Sequence, residues 1–169
     1  MAVAAPPSGP RCYVAVVGAG DAPGDGATAG QAEAVGRGLA ERGAVVVCGG
    51  LGGVMAAVCR GVAAGGGVSV GLLPGTDRAA ANPWVTLALP TGLGEARNAC
   101  VARSADAVVA IGGGYGTLSE IAFALRAGTP VVGLGTWVLA LESSGDDGIH
   151  RATSPSHAVT LAMSLAESR

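Results

Sequence analysis

Four glycines, Gly112, Gly113, Gly114 and Gly116, follow an apolar run and precede a helix in the segment AVVAIGGGYGTLSEIAF, residues 107–123. Glycine lets backbone N–H groups approach an anion closely, and the unpaired N–H groups and dipole of the next helix's first turn favour negative charge. The segment, with Tyr115 and Thr117 inside it, reads as a seat for phosphate; the plainer alternative is close helix–strand packing that needs small residues. Glu120 stands three residues after Thr117. That spacing serves either an acid–base carboxylate in the phosphate site or the second half of a Thr-x-x-Glu capping box, which contributes about 1 kcal/mol. Arg97 falls near the start of another helix, in LGEARNACVARSAD, where a cation opposes the helix dipole and needs a partner. That partner is a ligand anion or an acid such as Glu95. Asp21, Asp25, Thr91 and Asn98 are candidate polar rim residues.

Composition removes several chemistries. All ten basic residues are arginine, and the chain contains no lysine. An aldimine to pyridoxal phosphate, a Schiff-base mechanism and a P-loop lysine are therefore excluded. The two histidines, His150 and His157, lie in the polar C-terminal stretch, far in sequence from the glycine loops. Cys12, Cys48, Cys59 and Cys100 are scattered without a Cys-x-x-Cys pair and sit in or beside apolar runs, so they read as small buried hydrophobes and no metal site is expected. A net charge of −2 and five aromatic residues give little support to a nucleic-acid surface. Half the residues are apolar and mean hydropathy is +0.51. Yet the uncharged stretches 43–59, 61–76 and 127–141 fall short of the ~18 to 20 residues of a membrane span and are broken by Gly or Pro. The N-terminus lacks a basic region ahead of an apolar one, and a cytoplasmic location is expected.

The chain's 169 residues suit one domain, 11–169, behind a disordered, proline-rich leader at 1–10. Apolar runs at 13–17, 44–48, 68–73, 107–111 and 131–134 read as buried strands, with a short strand or extended loop at 84–89. Helices are expected over 29–42, 54–64, 95–104, 117–126 and 156–167, and residues 135–155 read as a mobile connection. Short continuous apolar strands alternating with helices predict a single α/β domain, a doubly wound parallel sheet with helices on both faces. In such sheets, ligands bind beyond the carboxyl ends of the strands where strand order reverses. With the first strand beside that of residues 107–111, the loop 18–25 faces Gly112–Gly116 across the crevice. Gly18, Gly49 and Gly50 then join the pocket. The segment GAGDAPG departs from the GxGxxG pattern and no acidic residue closes the second strand, which argues against a dinucleotide site of that kind.

The combined segments GGLGGVMAAVCRGVAAGGGVSVGLLPG and ANPWVTLALPTGLGEARNACVARSADAVVAIGGGYGTLSEIAFALRAGTPVVGL resemble the LOG (Lonely Guy) superfamily, over roughly residues 12–137. Within it they are most similar to the branch of molybdenum-cofactor carrier proteins. The resemblance implies a Rossmann-like homo-oligomer, a homodimer or homotetramer. In the cytokinin-activating members, the motif PGGxGTxxE and an upstream arginine support hydrolysis of nucleoside 5′-monophosphates to free base and ribose 5-phosphate, without a cofactor. Glu120 and Arg97 match those positions, and the resemblance puts phosphate on Gly113, Gly114, Gly116 and Thr117. Two departures point toward the carrier branch: Gly112 replaces the proline, and Asn98 follows Arg97 where the hydrolases carry lysine. For that branch the resemblance implies binding of a phosphorylated pterin, the molybdenum cofactor, in the same cleft without turnover.

Overall fold

The computed structural model describes residues 12–21, 26–140, 142–143 and 145–168. The expected leader at 1–10 and Asp25 lie outside the described residues. The valine-rich runs form parallel strands, as their continuous apolar character requires of a sheet covered on both faces. In chain order the main elements are β1 (Tyr13–Gly18), α1 (Ala27–Glu41), β2 (Val45–Cys48), α2 (Val54–Ala64), β3 (Val68–Leu73) and β4 (Leu87–Pro90). They continue with α3 (Arg97–Arg103), β5 (Ala107–Ile111), α4 (Tyr115–Arg126), β6 (Val131–Leu134), β7 (Ile149–Arg151) and α5 (Pro155–Glu167). The seven strands form one sheet in the order β4-β3-β2-β1-β5-β6-β7, and every pairing is parallel.

Alternate residues of each central strand supply two separate cores. Val14, Val16, Val46, Val109 and Ile111 pack beneath α1, α2 and α5. Ala15, Val17, Val47, Val108 and Ala110 face α3 and α4. This is the doubly wound α/β architecture, and the strand order reverses between β1 and β5.

Three sequence expectations need correction. The stretch 135–155 holds a strand, β7, which pairs with β6 through Val131↔Ile149 to Gly133↔Arg151. Three residues give no readable period, and the pattern is hidden. The helix expected over 95–104 is a 3₁₀ turn at Gly94–Ala96 followed by α3. Helix α4 starts at Tyr115, two residues before the expected position, with Gly114 as its N-cap.

The core is built from small side chains, so its helices approach closely. A Cβ on Gly36 of α1 would overlap the carbonyl oxygen of Val58, and one on Gly61 of α2 would overlap that of Glu33. Gly30, also in α1, faces open space. Gly61→Ala is therefore expected to destabilise the protein by about 1–3 kcal/mol through overpacking. Gly30→Ala should stabilise it by about 0.5–1 kcal/mol through helix propensity. Urea unfolding of the two variants checks both signs.

Candidate functional site

The β1–β5 pairing brings Gly18 opposite Ile111, so the loops that leave these two strands face one another. Their approach is too close for any side chain at position 18: a Cβ there would lie 2.6 Å from the Ile111 carbonyl oxygen and 2.5 Å from Val54 Cγ1. The β2 loop is tied to the first by the Val54 N–H, which donates to Ala19 O at 3.0 Å. Asn82 fastens it from the other side, its backbone N–H donating to Gly50 O at 2.9 Å and its side-chain amide to Leu51 O at 3.0 Å. Gly50 itself needs glycine, with φ at 73°.

Across the crevice stands the first turn of α4. The N–H groups of Tyr115, Gly116 and Thr117 open the helix, with no preceding turn to bond them. The Gly114 N–H donates to Thr117 Oγ1 at 3.4 Å, so Thr117 caps the helix from its third position. Of the two readings of Glu120, the Thr117–Glu120 capping box does not form, because the helix has already begun at Tyr115 and Glu120 lies past its first turn. A cavity of about 260 Å³ lies between Gly18–Asp21 and the residues Gly114, Gly116 and Thr117. A second, also about 260 Å³, shares Gly18, Gly20, Gly116 and Thr117 and extends past Pro74 and Gly94 over Arg97, Asn98 and Glu120.

Arg97 and Glu120 meet in this second cavity, 23 residues apart in sequence, with Arg97 Nη1 3.5 Å from Glu120 Oε1. Both are buried, at 7% and 6% exposure. Arg97 thus pairs with an acid on another helix and not with Glu95. Its guanidinium rests on the β2 loop, where a Cβ on Gly49 would lie 2.5 Å from Nη2. Nη1 also donates to Asn98 Oδ1 at 2.7 Å, the Asn98 amide donates to Ser119 Oγ at 3.1 Å, and that hydroxyl donates to Gly116 O at 2.6 Å. This chain of contacts links Arg97 to the phosphate-type turn. One donor stays unused: Arg97 Nε is buried with no hydrogen-bond partner among the described residues. A buried charged donor without an acceptor is costly.

Burial lifts the Glu120 carboxyl from its ordinary 4.5 to about 7, although Arg97 pulls in the opposite direction. Near neutral pH both protonation states are populated, as suits a proton donor or acceptor.

The structure brings Gly18, Gly114, Gly116, Thr117, Arg97 and Glu120 to one crevice. Gly49 lies against the Arg97 guanidinium and Met55, and Gly50 against Gly71 and Leu73. Gly112 and Gly113 border a different hollow, and Tyr115 is 84% exposed with its ring 5.9 Å from that of Trp137. Of the rim candidates, Asp21 and Asn98 line the crevice, whereas Thr91 donates its hydroxyl to Leu73 O at 2.8 Å. Sequence reasoning missed Asn82, Ser119 and Trp137, whose roles are long-range hydrogen bonds with no local spacing to betray them. Among the described residues no cluster of three or more His, Cys, Asp or Glu could hold a metal ion, and no helix is long and apolar enough to cross a membrane.

A doubly wound parallel sheet with a glycine-lined crevice at its switch point defines a Rossmann-like α/β fold. Residues 11–159 match the model of the SLOG cluster4 family, and the chain belongs to that family. This agrees with the resemblance to the LOG superfamily and its molybdenum-cofactor carrier branch. An uncharacterized protein of Archaeoglobus fulgidus is 42% identical over 121 residues, 72% of this chain and 78% of that protein. The molybdenum cofactor binding protein of Rippkaea orientalis is 31% identical with a TM-score of 0.84, over 92% of this chain and 98% of that one. The molybdenum cofactor carrier protein of Chlamydomonas reinhardtii is 30% identical with a TM-score of 0.79, over 94% and 99%.

The raised Glu120 pKa has a sign that can be measured. The folded state binds this proton more tightly than the unfolded chain, so the contribution is fully present below about pH 4.5 and is lost as pH rises through about 7. Wild-type stability should fall by roughly 1–3 kcal/mol over that window relative to Glu120→Gln, which lacks the titrating proton. Urea unfolding at a series of pH values compares the two slopes. Parallel curves would contradict a perturbed Glu120.

Proposed function

We propose that the crevice binds a phosphorylated, nucleotide-like small molecule, with its phosphate on the first turn of α4 and the adjoining part of the ligand over Arg97 and Glu120. The observation that carries this reading is the buried Arg97 Nε, left without an acceptor beside a helix N-terminus built of glycines. The ligand class that the relatives favour is a phosphorylated pterin, the molybdenum cofactor carried as cargo, because the two solved relatives above bind or carry it. The residues here fit its phosphate: helix N–H groups and one arginine supply donors, and the dipole supplies the field.

One observation favours a second reading, hydrolysis of a nucleoside 5′-monophosphate. A carboxyl lifted to about 7 beside an arginine suits cleavage of an N-glycosidic bond. Ionised Glu120 would stabilise positive charge growing on the ribose or orient water toward it. Arg97 would stabilise charge on the departing base, and the helix turn would fix the phosphate and thus the sugar. The capping alternative for Glu120 is gone, so its burial beside Arg97 needs another account, and a role toward ligand provides one.

The experiment is a titration of purified protein with nucleoside 5′-monophosphates, their dephosphorylated nucleosides and the molybdenum cofactor, followed by chromatography for free base. Saturable binding of phosphorylated molecules at least about tenfold tighter than of their dephosphorylated forms is expected. Equal affinity for both would contradict the phosphate seat. Base release by wild type, reduced about 10²-fold or more in Glu120→Gln, would establish the hydrolase reading. Binding without release would establish the carrier.

A further inference from the structure

The sheet continues beyond β5 to β6, and the segment leaving β6 returns over the glycine loop. Gly135 turns it with φ at 60°. Trp137 then settles against the loop, its Nε1 donating to Gly114 O at 3.1 Å. The fit requires glycine underneath, since a Cβ on Gly113 would lie 2.7 Å from Nε1. A cavity of about 270 Å³ opens between Gly112, Gly113, Gly135, Thr136 and Trp137. It shares no residue with the two cavities over Gly18 and Arg97. Gly113 borders the one and Gly114 the other, so the phosphate-type turn stands between two hollows.

A second observation points to a ligand in this hollow. Thr136 Oγ1 is buried without a hydrogen-bond partner among the described residues. It sits beside Gly113, within 3.5 Å of where a Cβ there would be. A buried hydroxyl without a partner is unfavourable unless something satisfies it. Its neighbours in the cavity wall are three glycines and an indole. A planar heterocycle would cover the indole and offer the polar edge that the hydroxyl lacks.

A phosphate monoester has one arm, whereas this cleft has an arm's room on either side of its phosphate seat.

We propose that the Thr136–Trp137 hollow is a second ring-binding subsite, and that the ligand filling the whole cleft is a phosphodiester- or pyrophosphate-bridged molecule with a planar ring on each arm. The proposal rests on the reading of the α4 turn as the phosphate seat. The departure of GAGDAPG from GxGxxG does not bear on it, because the bridge sits on the β5–α4 turn and not on the β1–α1 turn.

Diadenosine diphosphate and AMP, which present the same ring with and without a second arm, are the probes, and titration calorimetry reads the affinities. The bridged probe should bind about tenfold or more tightly than AMP. Thr136→Val should erase most of that difference, leave AMP affinity unchanged and not lower the melting temperature, since the lost hydroxyl bonds nothing in the free protein. In a Trp84→Phe background, where Trp137 is the sole tryptophan, the bridged probe should quench fluorescence and AMP should not. Equal affinity for the two probes, no change in the preference with Thr136→Val, or no Trp137 response would each overturn the second subsite while leaving the phosphate seat intact. If neither probe nor ribose 5-phosphate binds, the phosphate seat itself fails, and the subsite with it.

Discussion

Strand β5 enters the sheet beside β1 and not beside β4, and the whole site depends on that reversal. Consecutive placement would have sent the glycine loop of residues 112–114 to the far edge of the sheet, away from Gly18 and Arg97. The pairing Gly18↔Ile111 instead sets two loop-bearing strand ends side by side, and the absence of a side chain at Gly18 lets their backbones touch. The helices that cover β1 and β5 then leave in opposite directions, which opens the crevice and aims α4's first turn into it. A core of valine and alanine is what makes such close spacing attainable, since larger side chains would hold α1 and α2 apart.

Within the crevice, Arg97 and Glu120 occupy a place where ions are expensive. Burying two charges costs several kcal/mol each, and a pair 3.5 Å apart with one donor unused repays that incompletely. A well-packed apolar pair would serve stability as well or better. The Asn98–Ser119–Gly116 chain holds the arginine, and through it the charged group, in register with the turn of α4. Such positioning of an incompletely satisfied charge has a physical rationale when an anion completes it.

Much of this was legible in the sequence, and the failures are physical. The strands at 107–111 and 131–134 were readable to the residue because fully buried parallel strands are short continuous apolar runs, and that at 68–73 because its mostly apolar run is bounded by glycines and Pro74. The glycines at 112, 113, 114 and 116 announced a tight turn before a helix. Their spacing could not reveal that Tyr115 is already helical, because a glycine N-cap leaves no side-chain signal, and Thr117 consequently looked like a cap residue with Glu120 as its partner. The Arg97–Glu120 pair spans two helices, so no local pattern contains it; each residue was a candidate by its helix position, and only the family resemblance put the two in one site. Trp137 and Thr136 lay in a stretch that reads as loop, and their significance comes from β6 and from Gly113, which the sequence does not place beside them.

Chemical-shift mapping of the backbone amides and of arginine Nε–H groups during titration with ribose 5-phosphate tests the central claim most directly. The account predicts that the largest shifts fall on the amides of Tyr115, Gly116 and Thr117 and on Arg97 Nε–H, the donors that the fold leaves open. Shifts concentrated on Arg37 and Arg42, which line a separate cavity between α1 and α5, or no saturable shift at all, would contradict it.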